Sequence, residues 1–131
     1  MTKVILDTNV LVSSLLASGP PAAIVDLVAD GKIVSFYNDL ILKEYYDILS
    51  REKFGFSTLQ VTRLINDIVR TGMVLDDKPA SKIVLTDEDD RVFYDAAVEA
   101  GAYLITGNIR HFPPAAFVVM PAQFLGIYRS L

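Results

Sequence analysis

Three observations predict an α/β fold with a mainly parallel sheet. Apolar strand-like runs alternate with helix-like stretches along the chain, the order that builds parallel sheets from crossover units. The runs, Val4-Ile5-Leu6 and Tyr103-Leu104-Ile105 among them, are continuous rather than alternating, as expected where helices cover both faces of a sheet. The hydrophobic fraction is 52% and the mean hydropathy +0.38, high for a soluble domain and in keeping with a sheet buried on both sides or an oligomer face. The 131 residues make one domain, residues 1–131, at the usual length of about 150 residues per domain.

The elements follow in order. Lys3-Val4-Ile5-Leu6 reads as the first strand. Pro20 and Pro21 open a helix with Ile24, Leu27 and Val28 on one stripe, and Gly31 closes it, because proline suits a first turn and glycine the residue past the end. Ile33 to Tyr37 is the second strand. Asn38 caps a helix running to about Ser50, and Ser57 caps another over Leu59–Thr71 with Gly72 as its stop. Met73-Val74-Leu75 is a short strand, followed by an acidic loop and a helix from about Asp89 to Ala100 that ends at Gly101. Tyr103-Leu104-Ile105 and Phe117-Val118-Val119 are the last strands, and Pro121 opens a C-terminal helix.

Composition narrows the function. Twelve Lys and Arg against sixteen Asp and Glu leave a net charge of −4, so no global basic field attracts nucleic acid. There is no cysteine and one histidine, His111, which excludes thiolate metal sites and any site needing two imidazoles from one chain. No apolar run approaches the roughly 20 residues of a membrane span, and no signal peptide is recognisable, so a cytoplasmic protein is expected.

In open parallel sheets, ligands bind beyond the carboxyl ends of the strands. Asp7-Thr8-Asn9 follows the first strand directly. A charge abutting a buried strand is costly unless it is paired or ligates a metal, although an Asp can also cap the next turn. In the helix after Asn38, Leu40, Ile41, Leu42, Tyr45, Ile48 and Leu49 define the core face. Glu44 sits at its edge and Asp47 on the polar side. Asp87-Glu88-Asp89-Asp90 packs four carboxylates together. A helix dipole accounts for one or two, whereas a hard cation relieves the repulsion of all four. Asp89 and Asp90 both flank the apolar stripe of Val92, Phe93, Ala96, Ala97 and Ala100, and the wheel does not choose between them. Arg91, Asp95 and Glu99 fall on the opposite face and are expected to be solvated. Beyond Ile105, Thr106, Gly107 and Asn108 are small polar residues at a strand end, suited to a turn or to holding water or phosphate.

Taken in order, Val4–Ser13, Glu44-Tyr45 with Leu49, Asp87–Asp90 with Phe93 and Ala96-Ala97, Gly101–Asn108 and Met120–Leu125 resemble the PIN-domain family, and within it the VapC-like toxins of toxin–antitoxin pairs. The resemblance spans nearly the whole chain. It implies a three-layer α/β/α sandwich with a short parallel sheet and a ribonuclease site dependent on Mg²⁺ or Mn²⁺. Carried over residue by residue, it assigns Asp7, Glu44 and Asp90 as catalytic acids and metal ligands, Asp90 because it stands sixteen residues before Thr106. At the place of a fourth acid the chain has Asn108 and, a little later, His111. Asn108 can ligate through its carbonyl oxygen but adds no negative charge, which leaves a second metal without a full ligand set unless Asp87 or Asp89 contributes.

On this reading Asn9, Ser13, Thr106 and Asn108 support the ligands or contact phosphate, and one acid orients the attacking water. Lys43, Arg51, Lys53, Lys78, Lys82, Arg91 and Arg110 are the candidates for RNA phosphate. The family also implies a cognate antitoxin across the site and a homodimer. Tyr45, Tyr46, Phe54 and Phe56 could serve that interface or the core. Two other classes compete. A phosphoryl-transfer domain would use Asp7 as acceptor, although Asn9 replaces the second acid such phosphatases need. An interaction module with the fold but without chemistry would explain the missing fourth acid.

Overall fold

The computed structural model describes all residues, 1–131. Five strands, β1 (Lys3–Leu6), β2 (Val34–Tyr37), β3 (Met73–Val74), β4 (Tyr103–Ile105) and β5 (Val118–Val119), form one parallel sheet in the order β3-β2-β1-β4-β5. Six helices flank it: α1 (Thr8–Leu16), α2 (Pro20–Ala29), α3 (Asp39–Leu49), α4 (Thr58–Thr71), α5 (Arg91–Ala100) and α6 (Pro121–Arg129). The result is the expected α/β/α sandwich. Helix α2 packs against α1, α4 and α6, and α5 packs on β1 and β4. Val4, Ile5, Leu6, Leu104, Ile105 and Val119 have no exposed surface, which accounts for the continuous apolar runs. No single helix is long and apolar enough to cross a membrane.

Local chemistry fixes the element ends. Asn38 Oδ1 accepts from the Ile41 N–H at 2.9 Å, and Ser57 and Gln60 bond each other's backbone N–H groups in a capping box. Gly31 and Gly101 hold positive φ of 72° and 63°, where a side chain is strained. Gly72 is needed for a different reason: a Cβ there would run into the carbonyl oxygens of Ser35 and Ile68.

Two expectations are corrected and one gap is filled. The segment after Asp7, assigned no element from the sequence, is a helix, α1. Its two valines and two serines are indifferent helix formers, and packing against α2 and α3 secures it instead. Leu40 is 63% exposed rather than on the core face, because the first turn of α3 borders the space under residues 76–83. Arg91 is not solvated. Its side chain is 15% exposed and reaches the carbonyl oxygens of Ser81 (2.6 Å) and Ile83 and the Glu88 carboxylate (2.7 and 2.8 Å). Asp95 accepts from the Ser81 N–H at 2.9 Å and from its hydroxyl. Together they strap the irregular segment between β3 and Asp87 onto α5.

Candidate active site

The chain order makes β1 the switch point of the sheet: β2 and β3 lie on one side, β4 and β5 on the other. The crevice outside the carboxyl ends of β1 and β4 is where such sheets bind ligands. Leu6 and Ile105 are register partners, so the next residues, Asp7 and Thr106, face each other across it. The Asp7 N–H continues the ladder to the Ile105 carbonyl at 3.0 Å.

Asp7 is 6% exposed and Thr106 wholly buried. The Thr106 hydroxyl donates to Asp7 Oδ2 at 2.9 Å, and the Asn9 amide donates to the same oxygen at 3.3 Å. Asn9 Oδ1 in turn accepts from the Gly107 N–H at 2.9 Å, and Thr106 Oγ1 accepts from the Asn108 N–H at 3.0 Å. This network holds one carboxylate oxygen of Asp7. It leaves Asp7 at the head of α1 with no aligned capping bond. Burial pushes its pKa up, against the pull of the Thr106 hydroxyl, the Thr8 and Asn9 N–H groups and His111.

The cleft over Asp7 has a volume of about 390 Å³. Asp7, Asn9, Ser13, Glu44, Asp87, Asp89, Asp90, Asn108 and His111 all line it. Thr106 lies behind, bonded to Asp7. The candidate acids and the polar residues expected to support them are therefore at one end of the sheet. Glu44 is held by α3, whose Tyr45 is buried and donates its hydroxyl to the Leu6 carbonyl at 2.6 Å. That bond docks α3 on the last residue of β1. Burial raises the Glu44 pKa first, then the charges of Asp89, Asp47 and Asp7, while Arg51 lowers it.

The acidic run divides its work. Asp87 caps the 3₁₀ turn Glu88–Asp90 through the Asp89 N–H at 2.9 Å. Glu88 turns away to Arg91. Asp89 stands exposed at the cleft, and Asp90 is tucked in with its side chain 16% exposed. Asp90 Oδ2 is buried without a hydrogen-bond partner, its nearest donor being His111 Nδ1 at 3.4 Å. Burial, then Asp7 and Asp87, push the Asp90 pKa up to about 6. The structure thus separates Asp89 from Asp90, which the helix wheel did not.

These residues fit a hard cation in chemistry and charge: buried carboxylates with raised proton affinity and an orphaned carboxylate oxygen facing one cleft. No three His, Asp or Glu side chains are grouped closely enough to ligate one ion together. Mg²⁺ does not require that, since it keeps several waters and takes one or two carboxylates.

Of the candidate cations, Arg51 lines the cleft. Arg91 and Lys78 are engaged, with Glu88 and with Glu99 at 3.4 Å. Sequence reasoning missed Thr8, whose hydroxyl is buried without a partner at the cleft wall. Its only signal was its place beside Asp7. Phe54, assigned to an interface or the core, also lines the cleft.

Residues 3–110 match the PIN domain family. An uncharacterized protein of Methanocaldococcus jannaschii is 32% identical over 110 residues, covering 81% of this chain and 70% of that protein. No solved structure matches the chain. The chain belongs to the PIN domain family. PIN domains are generally nucleases acting on nucleic acid, and they usually use divalent metals.

Proposed function

We propose that the chain is a metal-dependent endoribonuclease that hydrolyses RNA phosphodiester bonds with Mg²⁺ or Mn²⁺. The observation that carries this reading is the convergence of Asp7, Glu44 and Asp90, from a strand end, a helix edge and a helix start, on one cleft at the switch point of the sheet. Asp7, Glu44 and Asp90 would hold the cation, one or two of them directly and the rest through its waters, and Asn108 would offer a neutral oxygen. The bound cation supplies Lewis-acid polarisation of a phosphoryl oxygen and a more acidic water.

The chain's own residues do the rest. Thr106 and Asn9 fix the rotamer of Asp7 through its Oδ2, leaving the other oxygen for ligation. Tyr45 sets the height of α3 and so of Glu44. The carboxylates repel one another when ionised, which readies them to exchange a proton for a cation. Ser13 and Asn108 line the cleft and would contact phosphate oxygens, and Arg51 offsets acidic charge beside Glu44.

The likeness of the motif set to VapC-like toxins supports a toxin held by a cognate antitoxin, a homodimer, a single domain over 1–131 and a cytoplasmic setting. Cleavage of RNA in Mn²⁺ tests the reading. Asp7→Asn and Asp90→Asn are each expected to abolish it with the fold intact, and unchanged cleavage in either would sink the assignment. A folded wild type that neither binds Mn²⁺ nor cuts RNA would favour the interaction module. A phosphorylated Asp7 after treatment with an acyl-phosphate donor would favour phosphoryl transfer.

A further inference from the structure

Eight residues beyond Glu44, the chain begins a 3₁₀ turn, Glu52–Phe54, closed by Gly55 at φ 66°. That turn brings Arg51 and Phe54 to the wall of the acidic cleft. Phe54 is half-buried and stacks on Phe56, with ring centroids 5.5 Å apart and planes 10° from parallel. The Lys53 ammonium lies over the Phe54 ring, 5.0 Å from its centroid. Lys53 and Arg51 are exposed.

This arrangement bears on how an acidic cleft holds an acidic polymer. Asp7, Glu44, Asp87, Asp89 and Asp90 line the cleft, against Arg51 and His111. Phosphate contacts alone give a weak grip there. An aromatic face attracts a base whatever the phosphate charge, and every base offers a π face once it is unpaired. We infer that Phe54, backed by Phe56 and flanked by Arg51 and Lys53, is a stacking surface for an unpaired base beside the scissile phosphate. It selects single-stranded over duplex nucleic acid. A base arriving on the ring displaces the Lys53 ammonium, and an exposed cation–π contact is weaker than base stacking. The freed ammonium and Arg51 are then near the phosphates that flank the base. The assignment deepens the ribonuclease reading and rests on it for the nature of the ligand.

The chain contains no tryptophan, so Phe54→Trp places the one indole at this position, excited selectively over the six tyrosines. Whole protein carrying Phe54→Trp is titrated, with Ca²⁺ in place of Mg²⁺ or Mn²⁺ to offset the cleft's carboxylates while slowing hydrolysis, with single-stranded RNA of about eight nucleotides and with a duplex of equal length. Anisotropy of the labelled RNA is followed in parallel. Single-stranded RNA is expected to quench the indole as it saturates, and the duplex to leave it unchanged. Phe54→Leu is expected to weaken single-strand binding about 10-fold without altering the slope of log Kd against log salt. Arg51→Gln flattens that slope. RNA bound with a silent indole, or Phe54→Leu binding as tightly as wild type, overturns the stacking surface alone. No RNA bound at all overturns the nucleic-acid reading with it. Quenching without Mn²⁺-dependent cleavage keeps the surface and removes the nuclease. Should Phe54→Leu melt early, Phe54→Tyr retains the ring and is expected to bind as wild type, and weak binding by that variant counts against stacking.

Discussion

At the scale of single residues, the site is a contest between burial and charge. Asp90 shows it most clearly, because burial, Asp7 and Asp87 push its pKa up to about 6 and His111 only partly opposes them. A carboxyl group whose folded pKa lies above its unfolded value favours the fold while protonated. Its contribution is complete below the ordinary value of 3.8 and is lost as pH rises through about 6. The Asp7 pKa is also raised by burial, so it acts in the same sense. The metal-free protein is therefore expected to melt at higher temperature near pH 5 than near pH 7.5. Asp90→Asn should shrink that difference and raise the metal-free melting temperature at neutral pH by about 4 °C or more. Thermal melts in EDTA across this pH range check it, and an Asp90→Asn curve parallel to wild type would contradict it. The acids themselves were legible in the sequence, since Asp7 directly follows an apolar strand and Glu44 sits at a stripe's edge. The choice of Asp90 over Asp89 came from the family resemblance and not from the helix wheel, because both flank the stripe and the 3₁₀ turn capped by Asp87 decides which one turns inward. Thr8 was missed because an orphaned hydroxyl has no signature in one dimension.

At the scale of elements, caps and stops were legible wherever the chemistry is local. Asn38, Ser57 and Gln60 bond backbone groups within the same turn, and Gly31 and Gly101 adopt the positive φ their places require. What tertiary packing decides was not legible. Helix α1 begins at the residue after a buried Asp, and Thr, Asn, Val and Ser make up six of its nine residues, so it carries little helix signal of its own. The role of Arg91 was likewise hidden: on a wheel it faces solvent, but a segment without regular structure folds over α5 and takes its guanidinium. That strap immediately precedes Asp90. Arg91→Met keeps the bulk and removes the donors, leaving the Ser81 and Ile83 carbonyls without their partner. The expected cost is about 1–3 kcal/mol in urea unfolding, with faster proteolysis confined to residues 76–88. Proteolysis unchanged in that segment would show that the strap does not hold it.

At the scale of the whole molecule, a net charge of −4 is at first sight a poor match for a protein acting on RNA. The fold changes its meaning. Five of the sixteen acids face one cleft at the sheet's switch point, where each bound divalent cation would return two positive charges. The high hydropathy resolves in the same way, into central strand residues such as Val4, Ile5, Leu6, Leu104 and Ile105 with no exposed surface under two helical layers. The α/β class and parallel sheet were readable from alternation and continuous apolar runs, whereas the strand order β3-β2-β1-β4-β5, which puts Asp7 opposite Thr106, depends on register. The central claim is that the cleft's carboxylates share a hard cation. Calorimetric titration of Mn²⁺ into the metal-free protein near pH 6, compared with Asp90→Asn, tests it most directly. Wild type should give a saturable heat with release of a proton. Asp90→Asn should lose that proton and bind at least about 10-fold more weakly. No saturable heat in folded wild type, or undiminished binding in Asp90→Asn, would contradict it.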